Sequence, residues 1–363
     1  MEPFKNLLNP AGIRQAAERL HAAWPGFDTD GFVRRACADL DALEMKARAL
    51  QICDALEHTL PADFEAAAEV LHTVLRGDGA LEGWILWPVG EFVARRGLQQ
   101  PVLALAVLHA LTQRFTAEFA IRPFIVAHPE HVFATLARWA QDDSEHVRRL
   151  VSEGSRPRLP WGLQLKTLVA DPSPALPLLA ALQDDPSPYV RRSVANHLND
   201  IAKDHPALVA AWLETHLPGA GKERRQLLRH ASRTLIKRGD RRVLAAWGLG
   251  QPLRGTATLS VAPHAIVLGD HLELHLALAS TAARPQALAI DYAVHHVKAD
   301  GSTTPKVFKG WTATLPAHGT LALTKRHAVK PITTRRYHAG RHAVDVQVNG
   351  RVVASAAFTL RLA

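Results

Sequence analysis

The segment DDSEHVRR at residues 142–149 decides the fold, because the chain repeats it as DDPSPYVRR at residues 184–192. Val147 and Val190 occupy the same place in the two copies and lie 43 residues apart. A period of about 40–47 residues is typical of HEAT-type repeats, whose units are pairs of stacked helices. A looser third copy begins at Glu223. The motif therefore predicts a mainly α fold, built as a HEAT-like helical repeat solenoid.

Each copy of the motif ends in a pair of arginines. Asp, Ser and Pro before the pair are residues that turn a chain and cap a helix, so the pair is expected near the start of a helix. Stacked repeats align such helices along one concave face. The predicted ladder comprises Arg148, Arg149, Arg191, Arg192, Arg224 and Arg225. The alternative is that each pair only solvates a helix surface.

The sequence before the motif predicts further helices, and the sequence after residue 248 predicts strands. Asn9-Pro10 combines an N-cap residue with a proline at the first helical position. Residues 272–278 and 343–348 alternate apolar and polar side chains, and Asn349-Gly350 predicts a tight hairpin turn. We therefore predict a HEAT-like repeat domain at 1–250. The second predicted domain is an immunoglobulin-like β-sandwich of about seven strands at 256–363.

Charge is distributed unevenly along the 363 residues. The formal net charge is +9, made up of −4 in residues 1–138, +6 in residues 139–254 and +7 in the remainder. Such a basic field attracts a polyanion, although a basic and inert surface has the same composition. No apolar run reaches the ~18 residues of a membrane span, and no leader pattern is visible. With only two cysteines, Cys37 and Cys53, a cytoplasmic location is expected.

One segment, SEGSRPRLPW at residues 152–161, breaks the helical pattern. Its prolines stiffen the loop, while Arg156 and Arg158 suit phosphate oxygens. Glu153 is the only acid near four arginines, so it is either a structural ion-pair partner or a functional carboxylate. Trp161 is either a core residue or a binding platform. Together these residues favour a functional site.

A second carboxylate, Glu118, lies among apolar and aromatic residues in TAEFAIRPF, residues 116–124. A glutamate in such surroundings must be paired or protonated if it faces inward. Arg122 is four residues further on and offers an ordinary helix salt bridge as the alternative explanation.

These features resemble the AlkC branch of the AlkC/AlkD DNA glycosylases. The resemblance extends over nearly the whole chain, and VRRLVSEGSRPRLPW at residues 147–161 is its most specific part. It implies excision of cationic alkylated bases such as 3-methylcytosine, 1-methyladenine and 3-methyladenine from double-stranded DNA. It also implies catalytic roles for Glu118, Glu153 and Trp161, and repeats that cup the duplex without a deep base-flipping pocket.

The chemistry of the residues is compatible with that implication. A cationic base is already a good leaving group, so the enzyme needs only to stabilise the developing oxocarbenium sugar and to orient water. We expect Glu153 nearest the sugar and Glu118 near the water, although the two roles remain exchangeable. The indole of Trp161 can add a cation–π attraction.

Phosphate contacts are expected from basic residues in both predicted domains, on a protein that is expected to be a monomer. The candidates are Arg148, Arg149, Arg156, Arg158, Arg191, Arg192, Arg225, Arg229, Lys237, Lys325, Arg326, Arg335 and Arg336. No cofactor or metal is expected, because the paired histidines of the C-terminal region lack further ligands at metal spacing. A non-catalytic DNA-binding module and a protein-interaction scaffold remain the alternatives.

Overall fold

The computed structural model describes residues 3–77, 79–333 and 335–362, which form helices first and strands afterwards. The α-helices are α1 Pro10–Ala23, α2 Thr29–Cys37, α3 Met45–Thr59, α4 Phe64–Val74, α5 Leu86–Arg96, α6 Pro101–Thr112, α7 Ile121–Ala127, α8 Pro129–Trp139, α9 Glu145–Gly154, α10 Lys166–Ala170, α11 Leu176–Leu182, α12 Pro188–Asp204, α13 Pro206–His216, α14 Lys222–Ala231, α15 Arg233–Arg238 and α16 Arg241–Ala246. The strands are β1 Gly255–Ala262, β2 Ala265–Val267, β3 His271–Ser280, β4 Gln286–Val297, β5 Thr303–Leu315, β6 Thr320–Ala328, β7 Gly340–Val348 and β8 Arg351–Arg361. Among these helices, none is long and apolar enough to cross a bilayer.

Local sequence signals account for the ends of several helices. The Asn9 side chain caps α1 by accepting a hydrogen bond from the Gly12 amide, as its N-cap position predicts. Helix α2 ends at Cys37. Asp39 then adopts a left-handed conformation with φ of 48°, which no α-helix accommodates.

The 43-residue repeat is visible as the same turn built twice. The Ser144 amide donates to Asp142 Oδ1, and the Ser187 amide donates to Asp185 Oδ1 in the same geometry. Arg148 Nη1 donates to the carbonyls of residues 142 and 143, and Arg191 Nη1 donates to those of residues 185 and 186. The first arginine of each pair therefore closes the turn that precedes its own helix. Helix α12 packs against both α9 and α14.

The described chain divides into two compact units. The helical unit contains the residues up to Asp204 together with Lys222–Ala231, and the second unit contains His205–Gly221 and the residues from Ser232 onward. The second unit therefore includes α13, α15 and α16 as well as the strands, whereas the sequence-based division assigned these helices to 1–250.

The strands of the second unit form two sheets that enclose one apolar core. The sheet orders are β1-β3-β6 and β2-β8-β7-β4-β5, with β2 and β8 parallel and the other pairs antiparallel. The predicted hairpin joins β7 to β8 through Asn349 and Gly350, both with positive φ. That geometry is what a two-residue hairpin turn needs. Eight strands are described, one more than predicted.

Three histidines lie buried in this sandwich. Neither ring nitrogen of His296 has a hydrogen-bond partner among the described residues, and its ring meets that of His342 edge-to-face at 5.7 Å. Burial lowers the pKa of His296 to about 3 and that of His327 to about 4, and it lowers the pKa of His342 as well. All three are therefore neutral in the folded protein at pH 7.

We expect the second unit to lose stability as pH falls from about 6.5. Unfolded histidine takes up a proton near pH 6.5 and the buried rings do not, so acid favours the unfolded state by up to about 1.4 kcal/mol per pH unit for each ring. Denaturant titrations between pH 7 and pH 5 should show this loss. His296→Leu should reduce the slope, whereas replacement of the exposed His264 by Gln should leave it unchanged. Equal slopes for all three proteins would contradict the assignment.

Candidate active site

The two predicted carboxylates lie on either side of one guanidinium, that of Arg149 on α9. Arg149 Nη1 binds Glu118 Oε2 and also donates to the Thr116 hydroxyl at 2.9 Å, while its Nη2 lies 3.6 Å from Glu153 Oε1. The Thr116 hydroxyl donates to Glu118 Oε2 at 2.8 Å. The guanidinium also lies 5.2 Å from the centre of the Tyr189 ring. The fold thus brings together two acids that are 35 residues apart in sequence.

Glu153 is held from both sides by buried donors. Arg156 Nη1 donates to its Oε1 at 2.5 Å, and the Ser193 hydroxyl donates to its Oε2 at 2.6 Å. Arg156 also donates from Nε to Asp200 Oδ2 at 2.8 Å. Glu153 and Asp200 are 5% and 2% exposed. Buried charges of this kind persist only when they are paired, and here each acid has a cationic partner.

Arg122 has a role that the sequence analysis missed. It makes no ion pair with Glu118 in the described chain. Instead it donates from Nε to the Leu163 carbonyl at 2.5 Å and from Nη1 to the Gly154 carbonyl at 2.8 Å. Burial, together with the nearby Arg156 charge, lowers the pKa of Arg122 to about 10. The alternative explanation, a helix salt bridge between Glu118 and Arg122, is therefore wrong. Arg122 instead fixes both ends of the loop after α9 through these two hydrogen bonds.

That loop presents Trp161 to solvent. The residue has φ of 66°, a left-handed conformation that costs a non-glycine residue about 1–2 kcal/mol. Its side chain is 63% exposed, so the core-packing alternative is wrong. The indole stacks on Trp87 with 6.4 Å between ring centroids and 4° between planes, and Phe4 lies 6.0 Å away.

Trp87 belongs to a continuous aromatic cluster. It is buried, its Nε1 donates to Glu91 at 3.0 Å, and its ring lies 5.3 Å from that of Phe119 and 6.0 Å from that of Trp84. Phe119 follows Glu118 directly in the sequence. The turn that carries Glu118 and the loop that carries Trp161 therefore both pack against the buried indole of Trp87.

Several arginines predicted to contact phosphate are engaged within the helical unit. Arg148 pairs with Asp185 at 2.7 Å, and the buried Arg156 is shared by Glu153 and Asp200. Arg158 pairs with Asp204 through two hydrogen bonds of 2.7 and 2.8 Å. Among the predicted phosphate contacts on α12 and α14, the exposed or half-buried side chains are those of Arg191, Arg192, Arg225 and Arg229.

The predicted phosphate contacts in the second unit also have different surroundings. Lys325 and Arg326 are neighbours on β6, so their side chains lie on opposite faces of the strand. Lys325 Nζ donates to the Gly310 carbonyl and lies 5.7 Å from the Trp311 ring, whereas Arg326 is exposed. The other exposed or half-buried candidates are Lys237, Arg335 and Arg336. Within the described residues, no cluster of three or more His, Cys, Asp or Glu side chains is arranged to hold a metal ion.

Comparison with known proteins places this geometry in a family. The family of DNA alkylation repair enzymes matches residues 115–235, and that of the YhaZ C-terminal Ig-like domain matches residues 255–362. The chain is 37% identical to Pseudomonas fluorescens alkylpurine DNA glycosylase AlkC, whose structure is bound to DNA containing an abasic site analog. That match covers 99% of this chain and all of the other, with a TM-score of 0.92. The chain belongs to the AlkC branch of the DNA alkylation repair glycosylases.

A relative in Bacillus subtilis (strain 168), protein YhaZ, is 36% identical over 97% of this chain and 98% of its own length. Both matches span the helical and the β-rich parts, as the resemblance in sequence predicted. Family membership identifies the chain as a DNA glycosylase of alkylation repair. The match to the Ig-like family also confirms the class predicted for the C-terminal strands.

Arg122→Met should destabilise the helical unit. The substitution leaves the Gly154 and Leu163 carbonyls without their donor, at a cost of about 2–4 kcal/mol in the free energy of unfolding. Urea unfolding followed by circular dichroism measures the loss. Arg34→Met, at an exposed position on α2, is the control and should change stability by less than about 0.5 kcal/mol. Equal effects of the two substitutions would contradict the role assigned to Arg122.

Proposed function

We propose that this glycosylase excises cationic N-alkylated bases, namely 3-methylcytosine, 1-methyladenine and 3-methyladenine, from double-stranded DNA. The observation that carries the proposal is the placement of Glu118 and Glu153 around Arg149, next to a loop that exposes Trp161. The DNA-bound structure of the Pseudomonas fluorescens enzyme supports DNA as the partner.

The reaction needs little besides negative charge and a positioned water. The bond between C1′ and the base nitrogen breaks, and its electron pair neutralises the cationic base, which leaves without a general acid. The sugar passes through an oxocarbenium-like state that nearby carboxylates stabilise. Water then adds to C1′ and gives its proton to a carboxylate, which yields an abasic site and the free base.

The hydrogen bonds favour different catalytic roles for Glu118 and Glu153. Both oxygens of Glu153 already accept hydrogen bonds, so we assign Glu153 to electrostatic stabilisation of the sugar. Glu118 uses Oε2 for its two partners, and its Oε1 has no hydrogen-bond partner among the described residues. That oxygen is the one we assign to the attacking water.

Trp161 suits an open site. Its exposed indole face can attract a cationic base or sugar by about 0.5–2 kcal/mol. A side chain on a surface loop reaches a base without enclosing it, which supports excision without a deep base-flipping pocket. Because Trp87 supports its inner face and the loop is stiffened by Pro157 and Pro160, the indole is held in place before DNA binds.

We assign phosphate contacts first to the repeat helices. Arg191 and Arg192 line a cleft of about 450 Å³ between α12 and α14, with His230 on its other side. Arg158, Arg225 and Arg229 are the further candidates of the helical unit, which a monomer of HEAT-like repeats would apply to one duplex. The candidates of the second unit are Lys237, Lys325, Arg326, Arg335 and Arg336. Arg148, Arg149 and Arg156 are omitted from the proposed contacts, because their guanidinium groups bind carboxylates inside the protein.

Glu153→Gln and Glu118→Gln should each slow base release by about 10²–10⁴-fold, because each removes a charge or an acceptor used by the reacting groups. Single-turnover release from duplexes that carry one 3-methylcytosine, 1-methyladenine or 3-methyladenine, without added metal, measures the rate. Glu130→Gln, at an exposed position on α8, is the matched control. Full activity of Glu153→Gln would refute its role, and no release by the parent enzyme would refute the proposed substrates.

Arg192→Ala should weaken duplex binding at low salt and reduce the slope of log K against log salt by about 1, since one phosphate contact is lost. Fluorescence anisotropy with an undamaged duplex at several salt concentrations gives the slope. Arg35→Ala, also exposed and in the same unit, removes the same charge from α2. An unchanged slope for Arg192→Ala, or an equal change for both, would show that α12 does not contact the backbone at this residue.

A further inference from the structure

A separate cleft of about 860 Å³ lies on α4, α6 and α8 of the helical unit. It shares no residue with the cluster around Arg149. Helix α6 forms its floor with side chains one turn apart, while the end of α4 and the length of α8 form its walls. Its volume is that of sites which bind small molecules of nucleotide size.

The charged residues that line the cleft are all basic. Arg76, Arg114 and Arg138 come from the three different helices or the residues that follow them. Three histidines, His72, His109 and His131, lie between them, and none of the described lining residues is an Asp or Glu. Positive charges that converge from three elements repel one another in the empty cleft, so an anion bound there would relieve that repulsion.

Two donors of this cleft are weakly used within the protein, whereas Arg138 Nη2 donates to the Thr135 hydroxyl at 2.9 Å. Arg114 makes only two long hydrogen bonds of 3.4 Å, to the carbonyls of Leu75 and Gly77. The buried Nδ1 of His72 has no hydrogen-bond partner among the described residues. The pKa of His72 is lowered, mainly by burial and also by the Arg76 charge. These groups contrast with Arg156, whose donors are occupied.

The remaining lining combines the polar side chains of Gln113 and Thr135 with an apolar strip on α6. Leu105, Ala106 and Ala110 form the floor, and the 69% exposed Val102 lies at one end. The indole of Trp139 lies 5.3 Å from the ring of His109, which Asp142 holds through a 2.7 Å hydrogen bond. A flat apolar group can lie against this floor while an anionic group reaches the arginines.

We infer that this cleft is a binding site for a phosphate-bearing ligand, with its phosphates on Arg76, Arg114 and Arg138. Guanidinium groups match phosphate oxygens through paired hydrogen bonds, and three of them suit a di- or triphosphate or successive phosphates of a nucleic-acid backbone. The lining favours a nucleotide, whose base would lie on the apolar floor beside Trp139.

The test is calorimetric titration of the full chain with ATP, pyrophosphate and an undamaged DNA duplex at low salt. The cleft variant replaces Arg76, Arg114 and Arg138 by Gln, and the control variant makes the same change at Arg14, Arg34 and Arg35, which are exposed on α1 and α2. We expect ATP to bind the parent and the control variant equally and the cleft variant at least tenfold more weakly. Thermal unfolding of all three proteins verifies that the cleft variant is folded.

The comparison of ligands separates the possible sources of the phosphate. Tighter binding of ATP than of pyrophosphate would support a free nucleotide on the apolar floor. Loss of duplex affinity in the cleft variant alone, with no ATP binding to the parent, would support backbone phosphates as the ligand. If no ligand distinguishes the cleft variant from the control, the inference is overturned.

Discussion

The structure depends on a buried network of three carboxylates, those of Glu118, Glu153 and Asp200. Arg149 and Arg156 pair with them, and Lys203 supplies the third positive charge at Asp200. Transfer of a single ion from water into a protein interior costs several kcal/mol, so none of these groups is stable there without the others. The partners come from the turn before α7, from α9, from the loop after it and from α12. The same ion pairs that hold the carboxylates in place therefore also join helices of successive repeats. In the helical unit, the candidate catalytic residues Glu118 and Glu153 therefore also contribute to the packing of the helices.

This coupling has a consequence for the chemistry proposed at the site. A carboxylate that is fixed by hydrogen bonds before substrate arrives does not need to reorient when positive charge develops on the sugar. Arg122 extends the fixed region to the loop of Trp161 by binding carbonyls at both of its ends. The left-handed conformation of Trp161 is tolerated because these bonds and the adjacent prolines restrict the loop. The result is a rigid aromatic surface beside the acids.

What could be predicted from the sequence is local, and what could not depends on distant partners. The Asp-Ser turn, the Asn9 cap and the Asn349-Gly350 hairpin follow from neighbouring residues, and the structure contains all three. Arg148 and Arg156 look identical in sequence to arginines that face solvent, but their carboxylates at Asp185 and Asp200 are 37 and 44 residues away. The contacts of Arg122 and Trp161 could not be predicted for the same reason. Nothing near them in the sequence indicates the carbonyls or the indole that they contact.

The repeated arginine pair shows how one local motif supports two tasks. The first arginine of each pair, Arg148 or Arg191, bonds to the carbonyls of its own turn, and this geometry recurs because the turn itself recurs. The second arginine is one residue, or about 100°, further around the helix, so it cannot reach that turn. The contacts of the second arginine therefore differ between the copies. Arg149 pairs with Glu118 and Glu153, whereas Arg192 is exposed to solvent. In such an array the first position closes the turn in both copies, whereas the contacts of the second position differ from one repeat to the next.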